Sequence, residues 1–130
     1  MPSIPADRQI FEGEIATYWL DDDGILVSLS KSTKRTVANI TANVGLVKQI
    51  TNNRKVPLLV YLRSSPMPDK AARTFSTEQL PHVYSAMAMV AEPGLANFIM
   101  KLLFSFQQPP IPMKHFTDDA AAKAWLRQYL

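Results

Sequence analysis

The residues able to do chemistry in this 130-residue chain are few and scattered. The two histidines, His82 and His115, stand far apart, with no HxxxH or HxxE spacing around either. There is no cysteine, which excludes a disulfide framework and any thiolate metal site. Asp21-Asp22-Asp23-Gly24 has the composition of a calcium loop. It lacks the glycine and glutamate that must follow at fixed spacing, and turn chemistry accounts for the run. Ser64-Ser65 would need a positioned base and a Gly-x-Ser-x-Gly elbow to act as a nucleophile, and neither is in the surrounding sequence. Four glycines provide no phosphate-cradling loop. The expectation is a non-catalytic protein with no metal-binding, cofactor-binding or catalytic residues.

What remains is apolar surface. Leu95 to Phe106 reads LANFIMKLLFSF, and its polar members Asn97, Lys101 and Ser105 recur every fourth residue. At about 100° per residue they drift by only about 40° per step and form one narrow stripe. A helix lying on a sheet needs an apolar arc of little more than ~100°. The excess makes Phe98, Ile99, Met100, Leu102, Leu103, Phe104 and Phe106 the candidate ligand-binding or interface residues. Their cover would be neighbouring helices, above all the terminal one with Trp125 and Leu126, a second copy of the chain or another protein, an apolar small molecule, or a membrane surface. Met87, Met89, Met100 and Met113 fall in apolar elements. They read as adaptable core packing, with a methionine-lined ligand pocket as the alternative.

The elements that must position these residues follow from periodicity. Glu12 to Leu20 places Ile15, Thr17 and Trp19 on one face, Asp21–Gly24 supplies a turn, and Ile25, Val27 and Leu29 then alternate with Leu26, Ser28 and Ser30. This is a β-hairpin with one apolar face. Val37, Ile40, Val44, Val47 and Ile50 mark an amphipathic helix, with Gly45 expected at a close contact with the sheet. Val56 to Leu62 is a strand buried on both faces, with Pro57 at its first position or at an edge. Asp69 opens a short helix to Phe75 and Ser76 a second. Tyr84 to Ala91 is a strand whose alanines admit a close helix, and Met113 to Phe116 is the last strand. Thr117 is the expected N-cap of the final helix, with two acidic residues in its first turn. Leu58, Val60 and Leu62 with Val44 and Val47 form the expected core. The order β-β-α-β-α-β-α-β-α implies a mixed sheet of about five strands with about four helices.

Composition agrees with one folded domain: 47% hydrophobic and 19% charged residues is a globular balance, not a disordered one. Residues 1–12 read as an N-terminal extension and 13–130 as the domain. The N-terminus has no signal-peptide pattern, and the longest apolar stretch is too short to span a membrane. A cytoplasmic protein is expected, peripheral to the membrane if the apolar helix meets a bilayer. The net charge of +3 is spread over Lys31, Lys34, Arg35, Arg54, Lys55 and Arg63, a pattern of solvated faces with no nucleic-acid footprint.

The buried strand Leu58–Leu62, the small-residue strand Tyr84–Ala91 and the helix start Leu95-Ala96-Asn97-Phe98 together resemble the SpoIIAA-like group. This is the fold of STAS domains and is similar to the lipid-binding SEC14 domain. The ending carries most of the resemblance: Pro109-Pro110-Ile111-Pro112 runs into Lys114-His115-Phe116-Thr117-Asp118-Asp119, and the chain closes with Trp125-Leu126. It implies an α/β domain of a bacterial, uncharacterised single-domain subgroup that acts through protein contacts as an interaction or regulatory module, with self-association as a homodimer among those contacts. The alternative is binding of an apolar small molecule or of a membrane through residues 95–106. Regulatory STAS domains carry a phosphorylatable serine in an Asp-Ser-Ser-Gly setting. Here Lys70 and Ala71 follow Asp69, so that switch is not carried over to Ser64, Ser65 or any other residue.

Overall fold

A computed structural model of the chain describes residues 4–104 and 109–130. In chain order the elements are β1 (Phe11–Glu12), β2 (Ala16–Leu20), β3 (Leu26–Ser30), α1 (Val37–Thr51), β4 (Val56–Tyr61) and α2 (Lys70–Val83). They continue with β5 (Tyr84–Val90), α3 (Pro93–Phe104), β6 (Met113–Phe116), α4 (Asp119–Leu126) and a final 3-10 turn, Arg127–Tyr129. The strands form one mixed sheet in the order β1 to β6, antiparallel from β1 to β3 and parallel from β3 to β6. The expected α/β class and the four helices are present. The sheet has six strands instead of five, because Phe11 and Glu12 pair with Tyr18 and Thr17 across a tight turn closed by Gly13 N–H to Ala16 O at 2.9 Å. Two residues are too few for an alternation to show in sequence.

The acidic run after β2 is a turn, as its composition requires. Asp21 Oδ1 accepts from the amides of Asp23 and Ile25 at 2.9 Å each, and Gly24 takes φ 91°, which a side chain would resist. Each carboxylate of the run also has a cation: Lys123 at 3.5 Å from Asp21, Arg8 at 2.7 Å from Asp22 and Arg127 at 2.9 Å from Asp23. These pairs tie the chain's two ends to the hairpin.

Parallel strands added one after another in the same direction require right-handed crossovers, and these put α1, α2 and α3 on one face of the sheet. The helix α1 begins with a capping box in which Thr36 Oγ1 accepts from the Asn39 amide at 3.1 Å and Asn39 Oδ1 from the Thr36 amide at 2.7 Å. Ile40, Val47 and Ile50 are buried as their spacing predicts, Val44 is half-buried, and Val37, in the first turn, is exposed at 41%, while Gly45 faces solvent with nothing within 4 Å of an added Cβ. It therefore marks no close contact; it sits on the outward side of the helix. Residues 70–83 form one helix and not two, capped by Asp69 and carrying Pro81 in its last turn, where the missing amide removes one i→i−4 bond two residues before the helix ends. Pro57 stands second in the central strand β4, at a register shift against β5, where a proline is tolerated.

The helix α4 lies on the opposite face. Its N-cap is Asp118, not Thr117: the aspartate accepts from the amides of Ala120 and Ala121 at 3.2 and 3.3 Å. Register shows which residues share a face, since residues directly paired across strands point the same way. Tyr18, Ser28, Val60 and Met89 form one row beneath the three helices, and Trp19, Val27, Leu59 and Ala88 form a row beneath α4. The hairpin is thus buried on both sides, not on one. Ala86 and Ala88 let α4 approach closely, and Ala122, Leu126 and Trp125 pack there with Trp19, Val27, Leu59 and Tyr61.

Candidate functional site

The two faces are not equally filled. Between the sheet and α1, α2 and α3 lies a cavity of about 220 Å³. Its floor is Leu58, Val60, Met87 and Met89, with Ser28 and Ser30 from β3. Its roof is Ile40 and Val44 of α1, Ala72, Leu80 and Val83 of α2, and Ile99 of α3. For scale, an apolar cavity of ~150 Å³ accepts benzene. The cavity reaches solvent at the carboxyl ends of β3 and β4, where the exposed Arg63 marks its mouth.

Polar groups enter this space from two places. Deep in it, Asn43 Nδ2 donates to Tyr18 Oη at 2.7 Å, with Tyr84 and Ser28 adjoining. Burial pushes both phenols up, Tyr84 well above its ordinary value because Tyr18 adds to the effect, Tyr18 less so because Asn43, Tyr84 and Ser28 bond to it. Near the mouth, Arg35 Nη1 donates to the carbonyls of Lys31 and Thr33 at 3.1 and 3.2 Å and to Ser65 Oγ at 3.1 Å. Its Nη2 reaches Ile15 O at 3.4 Å. Burial lowers the pKa of this guanidinium, with only Tyr18 opposing the shift. No carboxylate pairs with Arg35 among the described residues. Arg63 and Arg73 line the same end, and among the described residues the lining holds no aspartate, glutamate or histidine.

The residues singled out in sequence fall in different places. Ile99 lines the cavity, Met100 packs against the core beneath the three helices, and Phe98 is 52% exposed. The side chains of Leu102, Leu103 and Phe104, and the whole of Phe106, lie outside the described residues. Trp125 and Leu126 do not cover α3; they occupy the other face of the sheet, Trp125 against Phe116 with ring centroids 5.8 Å apart. Met87, Met89 and Met113 all line the cavity. His115 Nε2 bonds Ala91 O at 2.7 Å, His82 is exposed at the end of α2, and no cluster of three potential metal ligands occurs among the described residues. No helix among the described residues is long and apolar enough to cross a membrane.

Sequence reading missed Arg35, Tyr18, Asn43 and Tyr84. One signal was available: Ser28 and Ser30 alternate with apolar residues in β3 and suggest a solvent face, yet they are buried at 3% and 7% exposure.

With the fold and cavity described, comparison with known proteins places the chain. No functionally curated protein matches it. A structure of an uncharacterised DUF3478-family protein with a SpoIIAA-like fold, from Shewanella loihica PV-4, superposes with a TM-score of 0.56 at 17% identity. The match covers 97% of this chain and 98% of that one, and it shows that the fold is SpoIIAA-like. The profile described as Domain of unknown function (DUF7793) matches residues 18–130, and the chain belongs to that family.

Proposed function

We propose that this DUF7793 protein is a non-catalytic binding module that holds an apolar small molecule between its sheet and α1, α2 and α3. The observation that carries this reading is the 220 Å³ cavity itself, walled mainly by Leu, Val, Ile and Met side chains in a protein whose other face is closed. Protein interiors are normally packed to crystal-like density, and a void of this size forfeits stabilising contacts. Methionines at three positions of the lining suit a wall that adapts to different occupants. The apolar helix α3 contributes to this reading as a cavity wall through Ile99. With no carboxylate or imidazole in the described lining, no general base faces a bound molecule, which favours binding over turnover.

The test is native mass spectrometry of freshly purified protein, run beside a Val60→Phe variant that places a ring in the cavity. The reading predicts an apolar small molecule released from the wild type and absent from the variant, with the variant as stable as the wild type or more so. A wild type that carries nothing and binds no apolar probe, with Val60→Phe destabilised by overpacking, would contradict it. Ala72→Leu, which fills the same space from α2, provides a second filler should Val60→Phe perturb the sheet.

A further inference from the structure

We infer that the molecule held in this cavity is a single amphiphile with an anionic head, a carboxylate or a phosphate monoester, which docks on Arg35 at the mouth while its apolar body lies over Val60 and Met89. The inference rests on the binding reading above and specifies its ligand. Three observations carry it.

The first is an uncompensated charge. Arg35 is half-buried, and drawing a guanidinium partly out of water without a counterion carries a cost that a paired charge avoids. Arg35 is bonded to three backbone carbonyls and a serine hydroxyl, all neutral, and no described carboxylate accompanies it. These bonds fix the fork in place and leave Nε without an acceptor among the described residues. A rigid planar fork with a free edge is the geometry that receives a carboxylate or phosphate oxygen.

The second is the company it keeps. Arg63 and Arg73 line the same end, and no acidic side chain in the described lining offsets them. Arg73 Nη1 is held by Pro68 O at 2.8 Å, so this cation too is fixed by the backbone and not by a carboxylate. The third is direction. The mouth lies where α1 and α2 begin; α1, capped by the neutral Thr36, presents the positive end of its dipole there, whereas Asp69 caps α2, and beyond the mouth the floor of Leu58, Val60, Met87 and Met89 is apolar, with the Asn43–Tyr18 pair set deep in the cavity. The mouth suits an anion, and the floor over Leu58, Val60, Met87 and Met89 suits hydrocarbon.

Binding of decanoate, decyl phosphate and decanol, measured by calorimetry at neutral pH, tests the inference. The three share an alkyl body and differ in the head. The expected result is that at least one anion binds about tenfold or more tightly than decanol, as a charge-assisted bond implies. The tighter of the two anions identifies the head. Arg35→Gln should abolish that preference while leaving decanol affinity within about twofold. Because Arg35 also ties Ile15, Lys31 and Thr33 together, an Arg63→Gln/Arg73→Gln variant provides a second readout. It should weaken the anions, and their salt dependence, without affecting decanol. Equal affinity for all three amphiphiles would overturn the anionic head and leave the cavity reading standing. Failure of all three to bind would overturn the cavity reading and this inference with it. A preference that survives both sets of arginine substitutions would also overturn the assignment of the head site.

Discussion

The two faces of one sheet are built to different ends. Beneath α4, alternate residues of β5 are alanines and the helix settles onto them with Ala122 and Leu126 wholly buried, filling the space between sheet and helix. Beneath α1, α2 and α3 the same strands present Val60, Met87 and Met89, three helices arch over them, and a polar-ended cavity remains. Adjacent residues of β4 therefore live in different surroundings: Leu59 is locked at 0% exposure in the closed face, and Val60 at 7% borders the cavity. A single helix can meet a flat row of small side chains everywhere. Three helices bridging larger ones cannot, and the gap forms where they meet.

Substitutions on β4 should expose that difference most strongly. Leu59→Asp is expected to cost more than about 3 kcal/mol, because it places an unpaired charge in a packed interior. Val60→Asp should cost measurably less, since its carboxylate enters the cavity, and urea midpoints of the two variants report the gap. An equal loss would mean that both faces are closed. Next in size, Ala88→Leu should lose roughly 1–3 kcal/mol by overpacking beneath α4. Val60→Leu, adding one methylene to the open side, should change stability by less than about 0.5 kcal/mol or raise it.

Alkaline unfolding gives a third contrast. Burial raises the pKa of Tyr18 and Tyr84 on the cavity face, so at rising pH the unfolded phenols, near ~10, release their protons first. The stability these groups contribute is complete below that value and is lost as pH climbs through the folded values. Tyr84→Phe should flatten the fall in stability above pH ~10. A fall as steep as in the wild type would remove Tyr84 from the cause. On the closed face Tyr61 is raised too, by burial and by its bond to Asp119 at 3.0 Å, and Tyr61→Phe should cost only about 1 kcal/mol at neutral pH. Smallest of all, Phe98→Ser, on the solvent side of α3, should shift stability by no more than about 0.5 kcal/mol.

Much of the fold was legible in the sequence because strong periodicity carries it. The stripe of α1 from Ile40 to Ile50, the apolar run of β4, the alanines of β5 and the proline-bounded β6 all lie where their patterns place them. The misses have physical reasons. β1 is too short to show a pattern, the residues 70–83 carry polar turn formers that a capped helix nevertheless absorbs, and Gly45 is exposed where a glycine needs no packing partner. The cavity was least legible. It depends on how three helices space themselves over the sheet, which no single element encodes, and its arginine comes from a connecting segment whose basic residues read as solvated surface. The apolar excess of α3 was visible. That Ile99 would face a cavity and Phe98 solvent was not, because periodicity gives the arc of a helix and not what lies opposite it.

The unequal faces are tested most directly by methyl NMR of the folded protein during titration with decanoate. The account predicts saturable shifts of the methyl groups of Leu58, Val60, Met87 and Met89, which line the cavity, while those of Leu59 and Leu126 beneath α4 stay in place. Shifts shared evenly by both sets, or none at either, would contradict it.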